Sequence, residues 1–439
     1  MRFQDTKSLA TAPLYPHLRQ ALFRRDGQEA SPAAALVQLA NKVAHRWLRD
    51  GSYLVRLDKE LLLAKAKQHT GLEDFGDPAF LEPFGILLEC LDREASLHIV
   101  GRLSVFFDLV RQLRNRLCLV ADRQRHPEIA SEVVRAPLFI TGLPRSGTTF
   151  LHALLAQDPR HRSPRVWEIM YPSPPPERSI GDADPRIART ARDLEWLPVL
   201  MPEFESVHLI GATLPQECIA ITSHTFLSYV FEAMYYVPTY RAWHDRQDKR
   251  PAYEFHRRFL QHLQWRWPGE RWVLKAPSHL LALEALFEVY PDAGIILTHR
   301  DPLKVLPSCG SFTEVLRRGF SHEVNKVALG REIEERWVEG ARLAVATTQG
   351  RTAPPERFFH VKYNDLVREP LGVVARIYRH FGWDLTPEAR AACESFCLQH
   401  PKDKKGVHRY SLEEFGWRRE EERERFRFYV EHFDIEREE

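Results

Sequence analysis

The chain of 439 residues is 44% hydrophobic and 28% charged, a composition typical of an ordinary globular protein. Its 62 Lys and Arg residues balance 60 Asp and Glu residues, so the formal net charge is only +2. This balance argues against a general binder of nucleic acid or of a membrane surface, and any anion-binding site must be local.

The sequence carries no recognisable targeting or membrane-spanning segment. The N-terminal stretch MRFQDTKSLATAPLYPHLRQ lacks the apolar core of a signal peptide. The longest apolar run, IVGRLSVFFDLV, is interrupted by Arg102 and Asp108 and is too short to cross a bilayer. The six cysteines form no C-x-x-C pair, which favours reduced thiols over disulfides or a zinc site. We therefore expect a cytoplasmic protein without an integral membrane segment.

Residues 1–133 are predicted to form a helical N-terminal region. Leu109, Leu113 and Leu117 repeat at four-residue steps, and the alternation typical of strands is absent. The segment TGLEDFGDPAF contains Gly71, Gly76 and Pro78 and divides the region into two helical groups.

Residues 134–439 are predicted to form one α/β domain. Four short apolar segments alternate with helical segments, a pattern typical of a parallel sheet covered by helices on both faces. The predicted strands lie in APLFITG, RWVLKAP, AGIILTHR and RFFHVKYNDL. After the third, Asp301 and Pro302 supply an N-cap and a first position for a helix. Residues 180–270 are predicted to be a helical insertion.

The segment ITGLPRSGTTFLHALL, residues 140–155, combines a strand end, a Gly/Pro turn and the start of a helix. From Gly142 to Thr149 the spacing G-x-x-x-x-G-T-T is typical of a loop that cradles a phosphate. Glycines let backbone N–H groups approach an anion, and the helix N-terminus adds amides and the positive end of its dipole. Arg145 adds a planar cation suited to phosphate or sulfate oxygens.

A triphosphatase or kinase fits this loop less well. Thr148 stands where a nucleoside triphosphatase has Lys. The third strand ends in His299, Arg300 and Asp301, like the start of a kinase catalytic loop, but Leu306 stands where that loop requires Asn.

Two motifs together, GLPRSGTTFLHALLAQDP and ILTHRDPLKVLPS, resemble the donor-binding pair of the sulfotransferases that use 3′-phosphoadenosine 5′-phosphosulfate (PAPS). WVLKAPSHL, DPRIA, VKYNDLVREP and HRYSLEEFG are similar to a bacterial branch of that family, and the likeness extends from TGLEDFG to the C-terminus. The resemblance implies a P-loop-like α/β core, PAPS as co-substrate and no metal.

The resemblance also implies a set of donor-binding residues. Arg145 would contact the phosphosulfate and stabilise charge on the leaving phosphate, and the backbone and hydroxyls of the loop would cradle the 5′-phosphate. Arg300 and Ser308 would bind the 3′-phosphate, which distinguishes this donor from ATP. Lys404, Lys405 and Gly406 are similar to a loop that closes over that phosphate, although a solvated charge run explains them nearly as well. Tyr363 is as good a candidate for the core as for the nucleotide site. The residues of the cradle are Ser146, Gly147, Thr148 and Thr149.

Two residues compete as the base that takes the acceptor's proton. Glu168, 23 residues after Arg145, is expected at the end of the second core strand and resembles the glutamate base of carbohydrate- and tyrosine-directed sulfotransferases. His279, four residues after Lys275, resembles the histidine base of the cytosolic small-molecule branch. We favour Glu168, and we expect Lys275 to be a second cation at the transferring group.

The insertion is expected to face the acceptor, a small and hydrophobic alcohol such as a lipid or secondary metabolite. Its aromatic cluster suits such a molecule, although aromatics at this spacing are more often core. Glu217 and His208 are weaker candidates for the pocket. A P-loop phosphotransferase and a non-catalytic adenosine-phosphate binding protein stay as alternatives, no nucleic-acid partner is expected, and a homodimer is left open. The cluster comprises Phe226, Tyr229, Phe231, Tyr235, Tyr236, Tyr240 and Trp243.

Overall fold

Five short strands form a parallel sheet at the centre of the computed structural model, which describes residues 41, 54–204, 208–350, 352–400 and 411–438. The spatial order is β2-β3-β1-β4-β5, and every neighbouring pair is parallel. The strands are β1 Leu138–Gly142, β2 His161–Arg162, β3 Arg271–Lys275, β4 Gly294–His299 and β5 Phe358–Lys362.

The α/β sheet predicted from the sequence is therefore confirmed, with one addition. The four predicted strands are β1, β3, β4 and β5. The residues of β1, β3 and β4 are almost all buried, whereas in β5, at an edge of the sheet, Phe358 and Val361 are the buried residues. The fifth strand, β2, has two residues at the edge of the sheet, which is too short for a recognisable pattern of hydrophobicity.

Three helices precede the sheet in the described part of the chain. The long helix α3 begins after His98, whose Nδ1 accepts a hydrogen bond from the Gly101 amide (2.8 Å). Helix α1 ends at Gly71, which adopts φ +69°, a conformation that costs glycine little. The helices are α1 Lys59–Thr70, α2 Leu81–Arg93 and α3 Ile99–Arg125.

Between β1 and β3, apart from β2, the regular elements of the described chain are helices joined by loops. These helices are α4 Thr148–Leu155, α5 Val166–Met170, α6 Pro185–Leu194, α7 Leu197–Leu200, α8 Ile219–Thr222, α9 Val230–Met234, α10 Pro238–Asp245 and α11 Arg250–Gln264.

After β3 the chain alternates between the remaining strands and helices. The predicted cap at the start of α13 is confirmed, because the Asp301 carboxylate accepts from the Leu303 amide (2.9 Å) and Pro302 opens the helix. The helices are α12 Leu283–Val289, α13 Pro302–Arg318, α14 Lys326–Thr347, α15 Tyr363–Arg368, α16 Pro370–His380, α17 Pro387–Gln399, α18 Arg419–Arg425 and α19 Arg427–His432.

Both faces of the sheet are covered. On one face Ile140 and Ile296 pack with residues of α4 and α16, and on the other Leu274 and Leu297 pack with residues of α11 to α14. A separate core joins α1–α3 to residues of the predicted insertion, including Phe226. The N-terminal helices therefore share their hydrophobic core with the insertion. Within the described ranges, none of the helices combines the length and apolarity needed to cross a membrane.

Buried histidines give the fold an expected sensitivity to acid. Burial lowers the pKa of His152, His224 and His256 to about 3, so these side chains are neutral in the folded chain. The unfolded chain binds a proton at each near pH 6.5, so stability is retained above that pH and lost as the pH falls towards 3.

We expect each of these histidines to lower the free energy of unfolding by about 2 kcal/mol between pH 7 and pH 5. Urea unfolding at the two pH values measures the loss. In His152→Gln the difference in unfolding free energy between pH 7 and pH 5 is expected to be smaller by the contribution of one histidine, about 2 kcal/mol. Equal unfolding midpoints at pH 7 and pH 5 would contradict the prediction.

Candidate active site

A cavity of about 770 Å³ opens where β1, β3, β4 and β5 end. Carboxyl ends of parallel strands meet at one edge of a sheet, and ligands of open α/β sheets bind there. Most of the predicted donor-binding residues line this cavity: Arg145, Gly147, Thr148, Thr149, Arg300, Ser308 and Tyr363. The predicted loop residues Lys404, Lys405 and Gly406 lie outside the described residues.

The loop after β1 has the backbone of an anion cradle. Gly147 adopts φ +90°, and a Cβ atom there would come within 2.9 Å of a methyl carbon of Leu366. Gly147 is also the N-cap of α4, and it has no side chain that could cap the first amides of the helix. These amides belong to a helix N-terminus that lines the cavity, where an anion can bind them. Arg145 adopts φ +62°, an unusual conformation for a residue with a side chain.

Ser146 holds this loop in place from behind. Its buried hydroxyl donates to the Leu143 carbonyl and bonds the Thr298 hydroxyl (2.6 Å), which joins the ends of β1 and β4. The other three predicted cradle residues, Gly147, Thr148 and Thr149, line the cavity, whereas Ser146 does not. Its hydroxyl therefore fixes the loop rather than facing a ligand.

Arg145 projects from the loop towards α13. Its Nε donates to the Ser308 hydroxyl (3.1 Å), and its guanidinium carbon lies 5.5 Å from the centre of the Phe312 ring. Arg145 and Ser308, which we assigned to different phosphates, are therefore in direct contact.

Arg300, at the end of β4, is held on three sides. Its Nε and Nη2 donate to the two carboxylate oxygens of Glu438, each at 2.8 Å. Its Nη1 donates to the Arg145 carbonyl (2.8 Å), and its guanidinium stacks 3.9 Å above the Tyr363 ring. The Glu438 carboxylate thus occupies the bidentate edge of this planar cation, the edge whose geometry suits phosphate.

Lys275, the last residue of β3, stands between the loop and the insertion. Its side chain is almost fully buried, and its Nζ donates to the Thr149 hydroxyl (3.1 Å) and to the carboxylate of Glu217. Glu217 lines the cavity. The Lys275 carbonyl accepts from the Cys218 amide (2.9 Å), so a backbone hydrogen bond fixes Glu217 beside the end of β3.

Glu168 occupies a different environment from the one predicted. It lies in helix α5 rather than at the end of a strand, so the predicted strand position is wrong. Its carboxylate accepts from Arg162 Nη2 (2.6 Å) and from the Arg165 amide (2.8 Å), and the residue is 1% exposed. Glu168 is not among the described residues that line the cavity, and its contacts are those of a buried ion pair and a helix cap.

His279, the other predicted base, is also buried away from the cavity lining. Its Nδ1 bonds the Tyr253 hydroxyl (2.7 Å), and its ring lies against the edge of Phe139. Burial, with a smaller effect from His256 and Lys275, holds its pKa well below the usual value. His279 is therefore a neutral core side chain in this structure.

The rest of the cavity is formed largely by apolar side chains of the insertion and of α13 and α14. Of the predicted aromatic cluster, Tyr229 lines it, whereas Phe226, Phe231, Tyr235 and Tyr240 are buried in the core with the N-terminal helices. The weaker candidates Glu217 and His208 also line it. Sequence reasoning did not find the apolar wall, which comprises Leu209, Ile219, Ala233, Leu281, Phe312, Leu329, Ile333 and Trp337.

The cavity lining also includes two pairs of oppositely charged side chains. Arg336 Nη2 donates to Glu232 (2.7 Å), and Arg317 Nη2 donates to Glu332 (2.8 Å). In the part of the chain that the structure describes, no group of three or more His, Cys, Asp or Glu side chains is arranged to hold a metal ion.

Comparisons with known proteins agree on one family. Residues 137–387 match the Sulfotransferase family. Over 260 residues the chain is 28% identical to omega-hydroxy-beta-dihydromenaquinone-9 sulfotransferase Stf3 of Mycobacterium bovis, covering 56% of this chain and 62% of the relative. The chain thus spans less than two thirds of the length of this curated relative.

Two crystal structures extend the likeness to most of the chain. Sulfotransferase STF1 from Mycobacterium tuberculosis is 34% identical with a TM-score of 0.74, covering 84% of this chain and 97% of the neighbour. Sulfotransferase STF9 from Mycobacterium avium is 30% identical with a TM-score of 0.79, and the match covers 86% of this chain and 97% of STF9. Since the family match covers more than half of the chain, and the predicted anion-binding loop lies within it, this chain belongs to the sulfotransferase family.

Proposed function

We propose that this protein transfers the sulfuryl group of PAPS to the hydroxyl of a small hydrophobic alcohol, a lipid or secondary metabolite. One observation carries the proposal: a single cavity joins the uncapped helix N-terminus of the loop and Arg300 to an apolar chamber. An anionic donor and an apolar acceptor can therefore bind side by side in this cavity. The relative from Mycobacterium bovis is named for a hydroxylated menaquinone derivative, which supports a lipid-like acceptor.

The residues present suit such a donor. The amides of the loop and the hydroxyls of Thr148 and Thr149 hold the 5′-phosphate, and Arg300 holds the 3′-phosphate with Tyr363 beneath its guanidinium. Arg145, fixed by Ser308, places its cation where charge grows on the bridging oxygen as the bond to sulfur breaks. Positioning and fixed charge account for most of the acceleration, as in phosphoryl transfer.

The chamber wall accounts for the expected kind of acceptor. Apolar side chains of the insertion, α13 and α14 exclude water from the reacting groups and bind an apolar molecule by the area that they bury. A cytoplasmic location and a homodimer stay predictions from the sequence alone. Incubating lipid extracts with the protein and ³⁵S-labelled PAPS, followed by detection of a labelled lipid, tests the activity.

We expect adenosine 3′,5′-bisphosphate to raise the unfolding temperature without added metal, and AMP to do so much less. The reason is that we assign Arg300 to the 3′-phosphate, a group that AMP lacks. At a hundredfold excess over its dissociation constant, the bisphosphate is expected to add about 2.7 kcal/mol of stability. Thermal unfolding with each nucleotide measures the difference.

ATP with Mg²⁺ is the comparison that separates a sulfotransferase from a P-loop phosphotransferase. A larger shift with ATP and Mg²⁺ than with the bisphosphate would favour the phosphotransferase. Equal shifts with AMP and the bisphosphate would count against a 3′-phosphate site.

A further inference from the structure

We propose that Glu217, positioned by Lys275, is the base that takes the proton of the acceptor hydroxyl. This inference rests on the proposed sulfuryl transfer. Glu217 belongs to neither of the two sequence motifs that resemble the family's donor site, and it enters the cavity from the helical insertion.

The position of Glu217 meets the geometric need of a base. It lines the cavity at the junction between the anion-binding loop and the apolar chamber, since its partner Lys275 also bonds Thr149 of the loop. Its side chain is 18% exposed, compared with 1% for Glu168. An acceptor hydroxyl in the chamber can therefore reach Glu217 but cannot reach Glu168 without a change in the wall.

The backbone around Glu217 fixes the carboxylate. The amide of Glu217 bonds the side chain of Gln216 (2.7 Å), and the next amide, of Cys218, bonds the Lys275 carbonyl (2.9 Å). Both the backbone and the side chain of Lys275 thus contact the segment that carries Glu217. This double connection holds the base and the loop at a fixed separation, as a catalytic site requires.

In the proposed step sulfur exchanges one oxygen partner for another, and Glu217 gains a proton. The acceptor oxygen forms a bond to sulfur while the bond from sulfur to the bridging phosphate oxygen breaks. That oxygen keeps the electron pair and leaves as adenosine 3′,5′-bisphosphate. The acceptor's proton goes to the Glu217 carboxylate, and Lys275, released from its ion pair, keeps its charge beside the loop.

Glu168 offers a matched control because it is also a glutamate with an ion-pair partner, but one that is fully buried. Glu168→Gln weakens the contact with Arg162 and the cap of α5, so we expect a lower unfolding temperature and retained turnover. Glu217→Gln keeps the size and an acceptor for Lys275 but cannot take a proton. We expect turnover to fall by about 10²- to 10⁴-fold with an unfolding temperature close to that of the unaltered protein.

The experiment measures three quantities for both variants and the unaltered protein. Transfer of ³⁵S from PAPS into a bacterial lipid extract gives the rate across pH, calorimetry gives the affinity for adenosine 3′,5′-bisphosphate, and thermal unfolding reports the fold. In Glu217→Gln we expect bisphosphate affinity within a few-fold and loss of the acidic limb of the pH–rate profile. A structural role alone would leave that limb in place.

The outcomes separate the base from the overall function. If the unaltered protein labels no lipid and does not bind the bisphosphate, the proposed function fails and the base assignment fails with it. If it labels lipid and Glu217→Gln does so equally well, only the assignment of the base is overturned. A dead but folded Glu168→Gln beside an active Glu217→Gln would return the role to Glu168.

Discussion

Replacing Arg145 with alanine is expected to lower the turnover number by about 10³-fold while changing the KM for PAPS much less. Removing one fixed donor that stabilises charge in a transition state costs about 10²- to 10³-fold, and removing an arginine that meets transferring charge costs 10³-fold or more. The loop amides and Arg300 continue to bind the donor, so the loss appears mainly in turnover.

The structure explains why Arg145 suits this task. Its guanidinium is fixed by Ser308 at 3.1 Å and by the face of Phe312, so little reorganisation is needed as charge develops. Alanine and arginine tolerate the observed φ of +62° about equally poorly, so Arg145→Ala leaves the strain of the loop unchanged.

Arg145→Lys is the matched control. Lysine keeps the positive charge but lacks the planar fork and the Nε donor that contacts Ser308. We expect it to recover part of the turnover lost in the alanine variant. Steady-state kinetics of both variants measures this, and a change in KM alone would show that Arg145 binds the donor without facing the breaking bond.

The sheet and the loop were predictable from sequence because the features that determine them lie in short, continuous segments of the chain. A strand buried on both faces is a continuous apolar run, and an anion loop needs glycine at fixed spacing. Gly147 shows the reason, since a Cβ atom there would contact Leu366. The family resemblance carried by the two motifs then predicted which residues of the loop and of α13 bind the donor.

The acceptor side was less predictable because its contacts join distant parts of the chain. Glu168 was expected at a strand end, but the strand before it has only two residues, and its partner Arg162 gave no signal in the sequence. Glu217 contacts Lys275 across 58 positions of sequence. The insertion that carries Glu217 has no regular spacing relative to the motifs, so only the fold brings the pair together.

The contact of Glu438 with Arg300 spans 138 positions and was likewise invisible in the sequence. Asp301 accepts from the Glu438 amide (3.0 Å), and Asn364 donates to Glu436 (2.7 Å). These bonds hold the chain near its last described residues against the ends of β4 and β5. A carboxylate therefore occupies two donor atoms of the arginine that we assign to the 3′-phosphate.

We expect Arg300→Ala to weaken binding of adenosine 3′,5′-bisphosphate by about 10- to 100-fold, since a hydrogen bond to a charged group contributes about 1.5–3 kcal/mol. AMP has no 3′-phosphate, so its affinity is expected to stay nearly the same, and the preference for the bisphosphate over AMP is expected to collapse. Calorimetric titration of both nucleotides measures this preference directly, and equal losses for both would show that Arg300 supports the loop as a whole through its bond to the Arg145 carbonyl.

Glu438→Gln is expected to act in the opposite direction. The Glu438 carboxylate competes with the 3′-phosphate for Nε and Nη2 of Arg300, and both side chains are partly exposed, so their ion pair contributes at most about 1 kcal/mol. Neutralising the competitor is expected to tighten bisphosphate binding about two- to fivefold and to leave AMP unchanged. Weaker bisphosphate binding in this variant would instead mean that Glu438 orients Arg300 for the phosphate, because a carboxylate that only competes for the guanidinium cannot improve phosphate binding.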